Sequence, residues 1–509
     1  MKTIFKPLGI AAAVAAVTAG YAGVANAQTA VANNGLGDVA LVPYYTTAGD
    51  FVTGVHIINT SAQTQVVKLR LRRATDSMDA MDFNLIMSPY DEWTGFITGE
   101  ENGDITWNTA DTTCTAPIIN GTVTMSPVYR RGADSGYIEV IGMGSPELET
   151  YTIARDAKHT SAGVPKDCVA VASNFFANGV PGVVNGNVNS NETVQLNIVA
   201  GAPVLTTNTY VDGGNALKVS YFIRNEVAGL EFGNNAVHVQ DFYDDAMMTN
   251  QEFGSFSGDM RGFDFPDLTG GSPVDTPRNL FNNLRDTDVL GVLTVLNDWS
   301  KNPANGVNTD WVVTLPGQYT MLNLPAYLAT GGDVPTQGSV CGNASTIIQG
   351  QPAVAVACDT RDLPVTANFK AWDREEDTAV SGPGSLVVSP SIPGQPNITR
   401  FQREVNVVQW GDESVLDANV VTSVDSGVDA PFGWAQVSVS SRVGNLDICR
   451  WPNASFAPNP ALALTYMSCD IAATGAVPMI GFVAWERNFP SNPAANYGRI
   501  VEHSYTTSN

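Results

Sequence analysis

From Ala40 to Tyr505 this chain is written in short runs that alternate apolar with polar residues, most of them closed by Gly, Asn, Asp, Pro or Ser. The runs include "ALVPYY", "TGVHIIN", "VVKLRLR", "DFNLIM", "EWTGFIT", "GYIEVIGM", "TVQLNIVA", "LKVSYFI" and "DWVVTL". Later come "TANFKAW", "EVNVVQW", "WAQVSVS", "ALALTYM", "MIGFVAW" and "GRIVEHSY". Alternation at period two places every second side chain on one face of a strand, so each run can bury one face and wet the other. The pattern predicts an all-β protein, an antiparallel β-sandwich of immunoglobulin-like or jelly-roll-like form. At 509 residues the chain is long for one domain. We expect two packed sandwich regions, 28–200 and 201–509, with long loops and little helix.

The best helical candidate is Arg278 to Trp299, where Leu280, Phe281, Leu284, Val289 and Leu290 roughly suit one helical face. Its second half, "VLGVLTVLN", reads equally well as a strand. Connections rich in Pro, Gly and Asn span 177–191, 255–277 and 381–396. Loops of that length are usually functional or disordered.

The first residues, "MKTIFKPLGIAAAVAAVTAGYAGVANA", predict a signal peptide over 1–27. Lys2 and Lys6 precede a small apolar core, and Ala25-Asn26-Ala27 fits a small-x-small cleavage site. The core falls short of the roughly 20 residues that cross a bilayer. Export to the cell surface, the medium or the periplasm is expected, with no integral membrane segment after cleavage. The formal net charge is −24. Losing two lysines makes it more negative still. That balance excludes nucleic acid as a partner, disfavours docking on an anionic membrane and repels polyanions in general. The six cysteines show no C-x-x-C spacing. In an oxidising compartment the simplest pairing is local: Cys114–Cys168, Cys341–Cys358 and Cys449–Cys469.

One stretch departs from the acidic character. In "VVKLRLRRATDSMDAMDFNLIMSP", Lys68, Arg70, Arg72 and Arg73 crowd together and Asp76, Asp79 and Asp82 follow. Period two puts Val67, Leu69 and Leu71 on one face and Lys68, Arg70 and Arg72 on the other. In the next run Met81, Phe83, Leu85 and Met87 oppose Asp82 and Asn84. The expectation is an amphipathic strand pair, one side in the core and one in water, with Arg or Lys facing Asp across it. Each such pair contributes roughly 0.2–1 kcal/mol. The alternative is a basic strip for an anionic glycan, which the aspartates weaken.

This region also carries a resemblance. Asn59-Thr60-Ser61, the charged strand, Asp82-Phe83-Asn84 and the run from Ser88-Pro89 to Trp93 resemble a family of exported bacterial proteins known simply as cell surface proteins. "TDWVVTLP" (309–316), "AWDREED" (371–377) and "NYGRIVEHSY" (496–505) resemble it too. The resemblance implies an envelope or extracellular location and carries no catalytic residues to transfer.

Two acidic clusters invite chemistry. Asp373, Glu375, Glu376 and Asp377 suit a calcium loop or, less well, a glycosidase carboxylate pair, against a solvated strand end. On a strand Asp373, Glu375 and Asp377 would point one way. The second cluster holds Asp241, Asp244, Asp245, Asp259, Asp264 and Asp267 among Phe242, Tyr243, Phe253, Phe256, Phe263 and Phe265. It suits sugar, cation or protein binding, or a loop packing its own rings. "GLGDVA" (35–40) opens no helix and "GSFSG" (254–258) has no central serine, so neither is a motif. His56, His159, His238 and His503 show no metal-ligand spacing and are read as structural. Trp93, Trp372, Trp410 and Trp485 are read as core rather than sugar platforms.

The expected function is a non-enzymatic exported surface protein of structural or interaction type, assembling with copies of itself or other surface components. No catalytic or cofactor-binding residue is assigned, and calcium is the one cofactor the carboxylates admit. A glycan-binding module using loop aromatics such as Phe263 and Phe265 is the first alternative. A secreted hydrolase relying on acids such as Glu375 is the second.

Overall fold

The computed structural model describes residues 29–175, 210–243, 290–317, 365–378, 385–441 and 476–506, save positions 76, 78, 100–102, 131, 173 and 402. It also describes residues 246, 266 and 268 and the backbone of short paired segments at 196–199, 202–205, 347–348, 351–352, 447–450 and 467–470.

The first sandwich uses β1 (Val39–Thr46), β2 (Phe51–Asn59), β3 (Gln65–Arg73), β4 (Asp79–Met87), β5 (Glu92–Gly99), β6 (Ser135–Pro146), β7 (Leu217–Asn225) and β8 (Leu230–Asn235). One sheet runs Val237–Gln240, β1, β6, β3, β4, Cys114–Ala116. The other runs β8, β7, β2, β5, Ile105–Asn108, Thr122–Thr124. Between them lie Val55 and Ile57, Val67, Leu69 and Leu71, and Met81, Phe83 and Leu85, one face of each run as the alternation requires. Strand β7 pairs along its whole length with β2, and His238 sits opposite Ala40. Residues 217–240 therefore complete the N-terminal sandwich. The division expected at residue 200 does not follow the sheets.

The second sandwich uses β9 (Thr294–Asn302), β10 (Val307–Thr314), β11 (Val365–Trp372), β12 (Val405–Gln409), β13 (Phe432–Ser441), β14 (Ile480–Arg487) and β15 (Tyr497–Glu502). One leaf holds β9, β13 and β11. The other runs Val421–Asp425, β12, β10, β14, β15. The central strands of this second leaf, β12, β10 and the first part of β14, are buried on both sides. Trp311, Val313, Val408 and Val483 enter the core of the second sandwich. Val312, Val407, Phe482 and Ala484 join the core of the first. Strands packed on both faces against apolar side chains read as nearly continuous apolar runs, as in "WVV" of β10 and "IGFVAW" of β14. Hydrogen bonds tie the halves, among them the Val405 N–H to the Ala74 carbonyl, the Thr314 hydroxyl to the Pro43 carbonyl at 2.5 Å and the Asn496 amide to the Ala228 carbonyl at 2.8 Å.

Helix in the described residues is confined to short pieces such as Thr152–Arg155 and Cys168–Ala172. Of the helical candidate over Arg278 to Trp299, residues 278–289 lie outside the described residues, and Gly291–Val292 and β9 are strands. Cys114 and Cys168 form a disulfide, as their spacing suggested. The other two cysteine pairings fall on side chains outside the described residues.

The charged stretch departs from expectation. Arg70 does face Asp82 across β3 and β4. Yet Lys68, Arg70, Arg72, Asp82 and Asn84, expected in water, are buried. The outer face of this sheet is covered as well. At one end Ile153 and Val171 from the short helices pack on Val66, Ile86 and Met143. At the other, Phe242, Tyr243 and Leu268 pack on Val39, Leu41 and Ile141. Between these apolar patches the charges satisfy one another. Lys68 Nζ lies 3.1 Å from Asp82, Arg70 Nε 2.8 Å from Asp79, and Arg72 Nε 3.1 Å from Glu139. Arg70 also donates to the Pro266 carbonyl at 2.9 Å. Removing such ions from water costs several kcal/mol each, which only this density of partners offsets.

Candidate functional site

The second sandwich carries an open groove of about 480 Å³ where its two leaves part. One wall is built from Asp298, Trp299 and Ser300 on β9, Phe432 and Trp434 on β13, and Asp373 and Arg374 just beyond β11. Trp485 and Arg487 on β14 with Arg499 on β15 form the other wall. Strand register explains who meets whom. Trp372 lies opposite Trp434, and their rings stack at 4.2 Å with planes 10° apart. Trp485 lies opposite Arg499, whose guanidinium sits 4.6 Å over the indole. Arg374 caps the Phe432 ring at 4.0 Å.

The inward row of β14 explains why the groove is open. Its residues pass from buried Val483 to half-buried Trp485 and Arg487. The facing leaf no longer covers them. A row that begins as core ends as a lining. Tyr497 extends it, 5.7 Å from Trp485, and Arg487 lies 4.9 Å over Phe489. Two buried tryptophans hold the opposite wall from beneath. Trp299 Nε1 donates to the Trp434 carbonyl at 3.1 Å, and Trp311 Nε1 to the Asp298 carbonyl at 2.8 Å. Gly433 lets β11 approach, because a Cβ there would sit 1.8 Å from the Trp372 carbonyl oxygen.

Of the tryptophans read as core, Trp93 and Trp410 are buried. Trp372 and Trp485 are instead half-buried, Trp485 in the groove wall and Trp372 stacked against Trp434. Trp434, 40% exposed, lines the facing groove wall, and no pattern in its own run marks it out. The signal was legible in "WERNF": Trp485, Arg487 and Phe489 fall at period two, too polar for a row that is all core.

The acidic cluster at Asp373 is a turn, not a continuation of the strand. The Asp373 carboxylate accepts the N–H groups of Glu375 and Asp377 at 2.9 and 2.8 Å. Glu375, Glu376 and Asp377 are exposed. Asp373 is thus spent on holding the turn that projects Arg374, and the three acids expected on one face of a strand are not aligned. Among the described residues no three histidines, cysteines or acids gather closely enough to hold a metal ion. In the second cluster, Asp241 bonds Asn215 and the Phe242 and Tyr243 rings are buried. Asp244, Asp245, Asp259, Asp264, Asp267, Phe253, Phe256, Phe263 and Phe265 lie outside the described residues.

The histidines are engaged. His56 Nε2 meets Glu92 at 2.6 Å, and His159 Nδ1 lies 3.8 Å from Asp91. His238 Nε2 accepts the Val219 N–H. His503 donates from Nε2 to the Val312 carbonyl and accepts at Nδ1 from Asn297. Burial holds His238 and His503 down to about 4. Two carboxyls move the opposite way. Burial pushes Asp38 up to about 7, although the Phe242 and Tyr243 N–H groups oppose it. Asp310 also rises to about 7 through burial, against the Ser414 hydroxyl at 2.5 Å. These four groups brace the fold rather than line the groove.

No family model, curated protein or solved structure matches this chain.

Proposed function

We propose that this chain is an exported, non-enzymatic interaction protein of the cell surface whose groove binds carbohydrate. The observation that carries the reading is Trp434, 40% exposed and backed by a ring stacked at 4.2 Å. Sugars present apolar C–H faces edged by hydroxyls. A large flat ring held rigid from behind suits the faces. Asp298, Ser300, Asn302 and Asn305 supply polar groups along the same groove. Surface location is supported by the N-terminal leader pattern and by the resemblance to exported cell surface proteins. Assembly with copies of itself into a layer, filament or matrix is the partner choice that export, acidity, β content and the resemblance favour. The groove favours glycan, because its rings line a concavity rather than a flat patch or a free strand edge.

Native affinity electrophoresis through gels containing neutral and acidic polysaccharides tests the reading. Retardation by at least one polysaccharide, lost in Trp434→Ala, is expected. Migration unchanged by every polysaccharide would sink it.

A further inference from the structure

The chain has 50 acidic residues against 26 lysines and arginines, so a cation readily finds a carboxylate. Arg130, Arg155, Lys158, Lys166, Arg224 and Lys301 each do. The groove arginines do not. Among the described residues, Arg374, Arg487 and Arg499 make no ion pair and donate no hydrogen bond. Each instead lies over a ring, at 4.0, 4.9 and 4.6 Å respectively.

This arrangement has a chemical consequence. Stacking occupies the flat face of a guanidinium and fixes its orientation while leaving the N–H edge free. That edge is a planar fork matched to a carboxylate or phosphate. Arg374 stands on one wall, Arg487 and Arg499 on the other, so the groove presents oriented donors from both sides beside exposed aromatic rings.

Resting on the carbohydrate reading above, we infer that the ligand of this groove is an acidic polysaccharide whose carboxylates are held by Arg374, Arg487 and Arg499. Rings pack on the aromatics, and uronate carboxylates engage the guanidinium edges. The overall charge of −24 opposes the approach of any polyanion. The Debye length is about 8 Å at physiological ionic strength, so distant acids are screened while groups in contact are not. Local complementarity decides the bound state.

The experiment measures binding of the full chain to polygalacturonate, alginate, a neutral galactan and dextran sulfate, in chelator and in calcium. Arg374→Gln, Arg499→Gln and Arg499→Lys are compared with wild type, and a thermal scan shows each is folded. Uronate binding that persists in chelator and weakens about tenfold or more in each Gln variant is the expected result, since a charge-assisted hydrogen bond contributes that much. Arg499→Lys keeps the charge but loses the fork and the stack, so it restores only part. Binding to the neutral galactan alone overturns this inference and leaves the carbohydrate reading standing. Uronate binding seen only with calcium overturns the arginine assignment, and equal retention by dextran sulfate overturns the preference for carboxylate. Absence of binding to all four overturns both readings.

Discussion

Arg70 Nε lies 2.8 Å from an Asp79 carboxylate oxygen, and both side chains are fully excluded from solvent. The two residues are not direct cross-strand neighbours. Asp79 stands opposite Arg72, and Arg70 reaches it diagonally. Arg70 also lies 3.7 Å from Asp82 and 3.5 Å from Glu139, so one guanidinium on β3 links three buried acids on the two flanking strands, β4 and β6. A salt bridge in water contributes little, whereas breaking one in the interior leaves a charge without compensation.

Arg70→Met is therefore expected to cost about 3–5 kcal/mol in chemical denaturation. Combining Arg70→Met with Asp79→Ala recovers part of the loss, because one stranded charge is removed with its partner. Full additivity of the two changes would contradict the coupling.

The Cys114–Cys168 bridge closes a loop with a sequence separation of 54 residues. In the chain-entropy account a loop of that size stabilises by about 4 kcal/mol. Cys114→Ser with Cys168→Ser should lower the unfolding midpoint accordingly and expose the Cys168–Ala172 helix to protease first. The cut site would be read by mass spectrometry.

Asp310 and His503 should give opposite pH dependences. Asp310 sits at about 7 in the fold against an ordinary 3.8, so between those values the folded chain holds a proton that the unfolded chain has released. Its stabilising contribution is complete below about pH 4 and is lost as pH rises through 7. His503 sits at about 4 against 6.5, so its contribution is complete above 6.5 and is lost as pH falls through 4. Asp310→Asn is expected to raise the thermal midpoint at pH 8 relative to wild type and not at pH 4. His503→Gln should reduce the loss of stability between pH 6.5 and 4. Thermal scans at pH 4, 5.5, 7 and 8 separate the two.

Gly433 and Trp434 adjoin but should fail differently. Gly433→Ala drives a Cβ into the Trp372 carbonyl and should destabilise the β11–β13 pairing. Trp434→Ala removes a half-exposed ring, so the fold is kept while polysaccharide affinity falls about tenfold or more, as for a central aromatic anchor. Thermal scans paired with affinity electrophoresis read both effects.

Much of this architecture can be read from residues alone. Period two in "VVKLRLR" and "MDFNLIM" identifies Leu69 and Phe83 as core and Arg70 and Asp82 as facing each other, because alternation is a property of the single strand. The spacing of Cys114 and Cys168 anticipates their bridge. The groove was less legible. Trp485, Arg487 and Phe489 share a face in any strand, but whether that face is core or lining depends on where the opposing leaf stops.

The sequence by itself thus determined which stretches are strands, which side chains share a face and which charges could pair. Tertiary structure decided what covers each face. The Lys68, Arg70 and Arg72 side lies under residues far away in the chain, including Pro266, whose carbonyl Arg70 reaches, while the Trp485 and Arg499 side lies open. Alternation is local and repeats every two residues. Burial is set by long-range packing, which no pattern within a single strand encodes.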